Sequence, residues 1–252
     1  MPYQIETLNY GTAINSICVL VGHPKQQDPV GTTDPAVQQM GAAINNALSE
    51  LLTMFEWPTL TVKSSIDIYA DAAGQKEKAF DMPADFYRFI DQTQWSKATQ
   101  LPAIGPVSNQ AWMQYTVRNY TPQLTLFWQF RDRERQLHVL NPPFPVPVKF
   151  EFMYLSNAQV TDADDPTLLK NTASKNGDSF VLDPLVIMLL GRAKYLEWKG
   201  FDSTTAMRDF LTVYNSRTGA SKGAPILSMS GVFGFPYIDA WANLPDTGYG
   251  SS

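Results

Sequence analysis

The chain has 252 residues, 44% of them hydrophobic and 17% charged, with a formal net charge of −5. No run of about 18 apolar residues occurs, which excludes a membrane-spanning helix, and the single cysteine, Cys18, excludes an internal disulfide. The negative balance argues against tight binding of duplex nucleic acid, which needs lysines and arginines against the phosphates.

Ala13, Ile14, Ile17, Cys18 and Val21 recur at helical spacing, and Gly22 supplies a stop. A polar loop from His23 to Thr33 follows. Asp34-Pro35 then opens a second helix, with an N-cap acceptor and proline at the first helical position. Its apolar stripe is Met40, Ala43, Ile44, Ala47, Leu48, Leu51 and Phe55, and Trp57-Pro58 ends it.

The period then changes to two. Leu60, Val62, Ile66 and Ile68 predict a strand with one buried face, as do Leu124, Leu126, Trp128 and Phe130. The charged turn 131–135 leads into Leu137 and Val139 and predicts a hairpin. Val146, Val148, Phe150, Phe152 and Tyr154 form another strand, giving a β module of about four to six strands. Helical signals return at Asp183-Pro184, with Leu185, Met188, Leu189 and Leu196 leading to Gly200. A last helix carries Met207, Phe210, Leu211 and Tyr214 and stops at Gly219.

The expected fold class is α+β: a helical bundle from N- and C-terminal segments, an inserted antiparallel β module and a long extended C-terminal tail. The expected divisions are 1–58 (N-terminal helices), 59–160 (β module), 161–219 (C-terminal helices) and 220–252 (tail).

Site chemistry is sparse. Asp162, Asp164 and Asp165 cluster before Pro166, but an EF-type loop needs a glycine at its turn and a distal glutamate, so the cluster reads as a solvated loop. Zinc would need about four nearby Cys or His ligands, so no metal and no cofactor is expected. His23 lies in a polar loop and His138 alternates with Leu137 and Val139, as a strand-surface histidine would. No G-x-S-x-G, P-loop or G-x-G-x-x-G motif is present, and pairs such as Asp81 and Asp85 carry little signal for glycoside hydrolysis. No enzyme is expected. Arg131, Arg133 and Arg135 are interrupted by Asp132 and Glu134, which reads as a charged hairpin tip that could face an acidic partner. The lone cysteine fits a reducing compartment, and residues 1–20 lack the basic and apolar blocks of a secretory signal. A charged fraction well below the roughly 25% of an average domain favours an obligate assembly.

One segment stands apart. Asp91, Trp95, Pro102, Gly105-Pro106, Ser108 and Trp112 form the pattern D-x3-W-x6-P-x2-GP-x-S-x3-W. It resembles a segment of the adaptor (head–tail connector) proteins of short-tailed bacteriophages. The N-terminal layout, a short helix ending at Gly22 and a longer one closing at Trp57, is similar too, as is the late helical pair from Asp183 to Arg217.

The resemblance implies a structural virion protein at the head–tail interface, assembled in the host cytoplasm. It further implies a homo-oligomeric ring, a dodecamer, below the portal protein. That ring would continue the channel for genomic DNA without sequence-specific binding, and would receive a tail nozzle protein. Trp57, Trp95, Pro102, Gly105, Pro106 and Trp112 would be structural anchors, and Arg131, Arg133 and Arg135 would face the nozzle. The tail would reach the portal through Val232, Phe233, Phe235, Tyr237 and Trp241. The free chain should be monomeric or weakly associated. Two other classes compete: a phage-associated peptidoglycan hydrolase, and a carbohydrate-binding β module using Trp112 or Trp128.

Overall fold

Asp34 opens the longest helix of the structure. Its carboxylate accepts from the Ala36 N–H at 2.9 Å, and Pro35 fills the first helical position. The structure is a computed structural model that describes residues 8–118, 125–131, 133, 135–143 and 145–221. These residues fall within one compact unit ending at Ser221. The expected tail residues Val232, Phe233, Phe235, Tyr237 and Trp241 lie outside the described residues, as does Leu124 of the expected strand alternation.

Among the described residues the fold is mixed α+β, with five helices and antiparallel sheets. The helices are α1 (Tyr10–Leu20), α2 (Pro35–Met54), α3 (Asn109–Val117), α4 (Pro184–Trp198) and α5 (Thr204–Ser221). The strands are β1 (Thr61–Ile68), β2 (Glu77–Asp81), β3 (Phe86–Phe89), β4 (Trp95–Ser96), β5 (Leu101–Pro102), β6 (Phe127–Arg131), β7 (Gln136–Leu140), β8 (Val148–Ser156), β9 (Val160–Thr161), β10 (Leu169–Lys170) and β11 (Ser179–Phe180).

Helices α1, α2, α4 and α5 contribute to one hydrophobic cluster. It includes Ile14, Ile17, Met40, Ile44, Leu48, Leu51, Ile187, Leu190 and Phe210, each almost fully buried. Gly191 lets α4 approach closely, because a Cβ there would sit 3.1 Å from Ile44 Cγ1 and 3.4 Å from Ile17 Cδ1. The α1 N-terminus is closed by a loop far along the chain: Tyr10 N–H donates to Asp178 O at 2.7 Å and Gly11 N–H to Asn176 O at 3.0 Å. Gly22 has a φ of +75° and ends α1 as expected.

Three departures mark the helices. The buried side of α4 is Val186, Ile187, Leu190, Gly191 and Ala193, whereas Leu185, expected in the stripe, is 40% exposed. α4 contacts α1, α2 and α5, so its apolar residues spread around the axis and periodicity does not select one face. α5 runs through the expected stop at Gly219 to Ser221. A helix not expected from the sequence lies within the Trp/Gly-Pro segment: Ser108 caps α3 by accepting from Ala111 N–H.

The first sheet has the order β1-β8-β4-β5, with β3 also paired to β8, and the second has the order β2-β7-β6. Their inner residues meet in a second cluster: Ile68, Phe86, Phe150, Phe152 and Tyr154 from the first sheet, and Phe80, Trp128, Leu137 and Val139 from the second. The expected hairpin is present, with Arg131 opposite Gln136 and Phe127 opposite Leu140. Leu126 precedes β6 and Val146 precedes β8, so both strands start later than the alternation suggests. Eight strands lie between Thr61 and Ser156, more than the four to six expected, because β4 and β5 have two residues each and are too short to show a period. A third, small sheet, β10-β9-β11, lies beside the start of α1 through the bridge between Asn9 and Ser179.

No helix of the described residues is long and apolar enough to cross a membrane.

Candidate functional site

The Trp/Gly-Pro segment passes from one sheet to the other. In the first sheet Trp95 stands opposite Pro102 on one side and Glu151 on the other. The chain then crosses to run beside β6: Ile104 N–H donates to Leu126 O at 2.8 Å, Trp128 N–H to Ile104 O at 3.1 Å, and Val107 N–H to Trp128 O at 3.0 Å. Gly105, joined to Pro106 by a cis peptide, lies flat on Trp128. A Cβ at Gly105 would sit 2.5 Å from the Trp128 carbonyl oxygen and 2.7 Å from its indole Cε2. Ser108 then starts α3, which carries Trp112 onto the outer face of the second sheet against Phe127 and Leu140.

This placement separates the expected anchors. Trp112 is buried, as is Trp57, whose Nε1 donates to Leu51 O at 2.8 Å. Trp95 is 39% exposed, so it is not a core anchor: the alternation of β4 turns Ser96 inward, opposite Phe150, and Trp95 outward. A sugar platform on Trp112 or Trp128 is excluded by their burial at 3% and 2% exposure, since stacking needs a free ring face.

α3 also explains His138, which is buried rather than on a strand surface. Leu137 and Val139 face the other sheet, while the opposite side of β7, expected to be wet, lies on the α3 side of the sheet with Leu140. His138 Nδ1 lies 2.7 Å from Glu77 Oε1, within hydrogen-bond distance. Arg131 Nη2 is 2.9 Å from the same oxygen, and Trp112 Nε1 donates to Glu77 Oε2 at 3.3 Å. Glu77 thus joins α3 to β2, β6 and β7. Nothing in the local sequence around Glu77 signals this, because its partners Trp112 and His138 lie 35 and 61 residues away.

The arginine tip is mostly engaged. Arg131 pairs with Glu77, and Arg135 donates to Phe86 O at 2.7 Å. Arg133 is exposed, and Asp132 and Glu134 lie outside the described residues. Between β3 and the Gly-Pro turn lies a cleft of about 510 Å³, with Phe89, Trp128 and Phe130 beneath and Arg88, Asp91 and Gln94 around it. It is an aromatic depression with a polar margin and no nucleophile–base pair.

The acidic cluster near residue 162 is an ion-pair clasp, not a solvated loop. Asp162 and Asp178 are buried, and Lys170 Nζ lies 2.8 Å from a carboxylate oxygen of each. Lys175 Nζ is 2.9 Å from Asp162 Oδ1. Asp164 and Asp165 remain exposed, as expected. The Lys170 ammonium, the Asp164 N–H and Lys175 hold the Asp162 carboxyl well below the usual carboxylate range. Burial alone would raise Asp178, but Lys170 and the N–H groups of Ser174, Lys175 and Ala163 outweigh it and lower it. Burial, with the nearby Asp178 charge, pushes the Tyr10 hydroxyl up to about 12. Both lysines lie in a stretch without periodicity, so only the folded loop brings them to the aspartates. Among the described residues no group of three His, Cys, Asp or Glu side chains is placed to hold a metal ion.

No protein-family model matches this chain, and no curated protein does so.

Proposed function

We propose that the chain is a structural subunit of a phage head–tail connector, a ring that joins the portal to the tail nozzle and continues the DNA channel. The observation that carries the reading is the Trp/Gly-Pro segment. Trp95 and Pro102 face each other across two short strands, Gly105 lies on Trp128, Ser108 caps a helix and Trp112 is buried on it. The residues of the connector-like pattern thus act as one structural unit that ties two sheets together. The order of elements supports it as well, since helices from both ends of the described chain share a cluster while the strands between them form another. In this reading the four helices are the bundle of the ring, and the exposed Arg133 and its hairpin face the nozzle.

The tail is the portal-binding segment. Phe233, Phe235 and Tyr237 alternate with Gly234 and Pro236, so an extended chain would put three rings on one face and could pair along one edge. Electron microscopy of the chain mixed with the portal of its phage should show a ring of added density at the portal's tail-side end. Deleting residues 228–252 should abolish that density and leave the circular dichroism spectrum unchanged. Undiminished ring formation by the truncated chain would reject the role of the tail, and absence of any complex with the intact chain would reject the connector reading.

A further inference from the structure

Among the described residues β1 is an edge strand of eight residues, paired only with β8 and in unbroken register from Thr61 to Ile68. Every second residue of such a strand turns its N–H and C=O away from its neighbour. From Val62 to Ile68 no backbone group on that far edge has a hydrogen-bond partner among the described residues. Edges are normally blunted by shortness, proline, bulges or unmatched charge. β1 has eight residues, no proline and no bulge, and it carries one charge of each sign, Lys63 and Asp67.

Those two charges favour one partner: Lys63 Nζ lies 2.9 Å from Glu151 Oε2 within the sheet, and its ammonium has further donors to offer across the edge. The register with β8 puts Lys63, Ser65 and Asp67 on the outer face, opposite Met153, Glu151 and Lys149. It puts Val62 and Ile66 on the inner face, opposite Tyr154 and Phe150. Val62 is nonetheless 37% exposed and Ile66 only part-buried, because the core margin is open beyond β1.

We infer that the free edge of β1 pairs antiparallel with β1 of a second copy of this chain, about a two-fold axis at Ser65. In that register Lys63 faces Asp67 of the copy and Asp67 faces its Lys63. Val62 faces Ile68, and Ser65 faces its own counterpart. Residues directly opposite in an antiparallel pair share a face, so both ion pairs form on the outer side and both Val–Ile pairs close the inner margin. Sliding the strands by two residues puts Lys63 opposite Ser65 or Tyr69, and both ion pairs are lost. The sequence of β1 is therefore complementary to itself in one register.

Such an isologous pair closes at two and does not propagate into a ring. Two eight-residue edges make a small interface, so the dimer is weak and belongs to the free chain. It names the contact behind a weakly associated resting state and leaves the surfaces used in a ring unassigned.

Two complementary variants of the full chain test it. In Asp67→Lys the homodimer would set a lysine against a lysine at both pairs of positions 63 and 67. In Lys63→Asp it would set an aspartate against an aspartate there. Each should dimerise about tenfold more weakly than the parent or worse. An equal mixture of the two can form a heterodimer with two opposite-charge pairs only if the strands face as inferred: the Lys63 and introduced lysine of one variant then meet the Asp67 and introduced aspartate of the other, and both ion pairs return. The mixture should associate as the parent does. Sedimentation velocity gives the constants, thermal melting of each variant checks the fold, and amide exchange over 61–68 should slow as parent concentration rises. A parent chain that stays monomeric at concentrations on the order of several hundred micromolar overturns the inference. So does a dimer that both substitutions leave unchanged, or a mixture no better than its components. No portal is present, so the outcome is separate from that of the connector reading.

Discussion

Gly105 lies outside the left-handed φ region, and what stands against a side chain there is Trp128, whose carbonyl oxygen and indole would meet a Cβ at 2.5 and 2.7 Å. Neither is the free end of a flexible side chain, so the crossing segment must lift off β6. Gly105→Ala should cost about 2 kcal/mol, as overpacking a close contact does, and urea unfolding would read it as a lower midpoint at unchanged slope. The clasp around Asp162 and Asp178 makes a prediction of another kind, one of pH. Both carboxyls are held below their ordinary value, so the stability they contribute is present above about pH 4 and is lost as pH falls through their folded values. Burial opposes the charge on Lys170 and is the largest single influence on it, yet the two carboxylates together raise it; Asp164 and Asp162 raise Lys175. The lysines' contribution holds below about pH 10 and fades as pH rises through their folded values. The melting temperature should therefore drop between about pH 4 and about pH 2, and less steeply in Asp162→Asn. Equal slopes in the two proteins would place the acid sensitivity elsewhere.

Element boundaries follow caps where a cap has a local sequence signature. Asp34-Pro35 and Asp183-Pro184 both start helices in which the aspartate accepts an amide from two residues on. Asp34→Ala should lower stability by about 1 kcal/mol, measured by thermal melting, and less than that if the Pro35 start alone sets the helix. The stripe of α2 is legible in the sequence because one side of the helix is polar, whereas α4 is apolar around most of its circumference. The strands β1, β6, β7 and β8 are legible from alternation. β4 and β5 are not, because two residues show no period. α3 hides behind the prolines and tryptophans that flank it: its start rests on Ser108 alone, and only Trp112 of its residues is buried. The environment of His138 is hidden with it, since α3 is what takes the far side of β7 out of water. The candidate site is thus visible as a pattern of residues, while its contacts, Glu77 on Trp112 and Gly105 on Trp128, depend on chain crossings that no local spacing encodes.

At the scale of the whole molecule, the two larger clusters of the described chain have contributors that are spread differently in sequence. The sheet cluster draws on residues 66–154, a continuous region. The helical cluster joins α1 and α2 to α4 and α5, with the entire sheet region between them, and the first amides of α1 are closed only by residues 176 and 178. That interleaving has a consequence during synthesis. The ribosome releases α1 and α2 first, and at about 5–20 residues per second it is on the order of ten seconds before α4 follows. Through that interval α1 and α2 have each other but not α4, so the surface around Ile17 and Ile44 that receives Gly191 stays uncovered, while the sheet region can complete its own packing. The early helices should therefore be the last segment of the nascent chain to complete their packing, and pulse amide exchange on stalled chains of increasing length would show it.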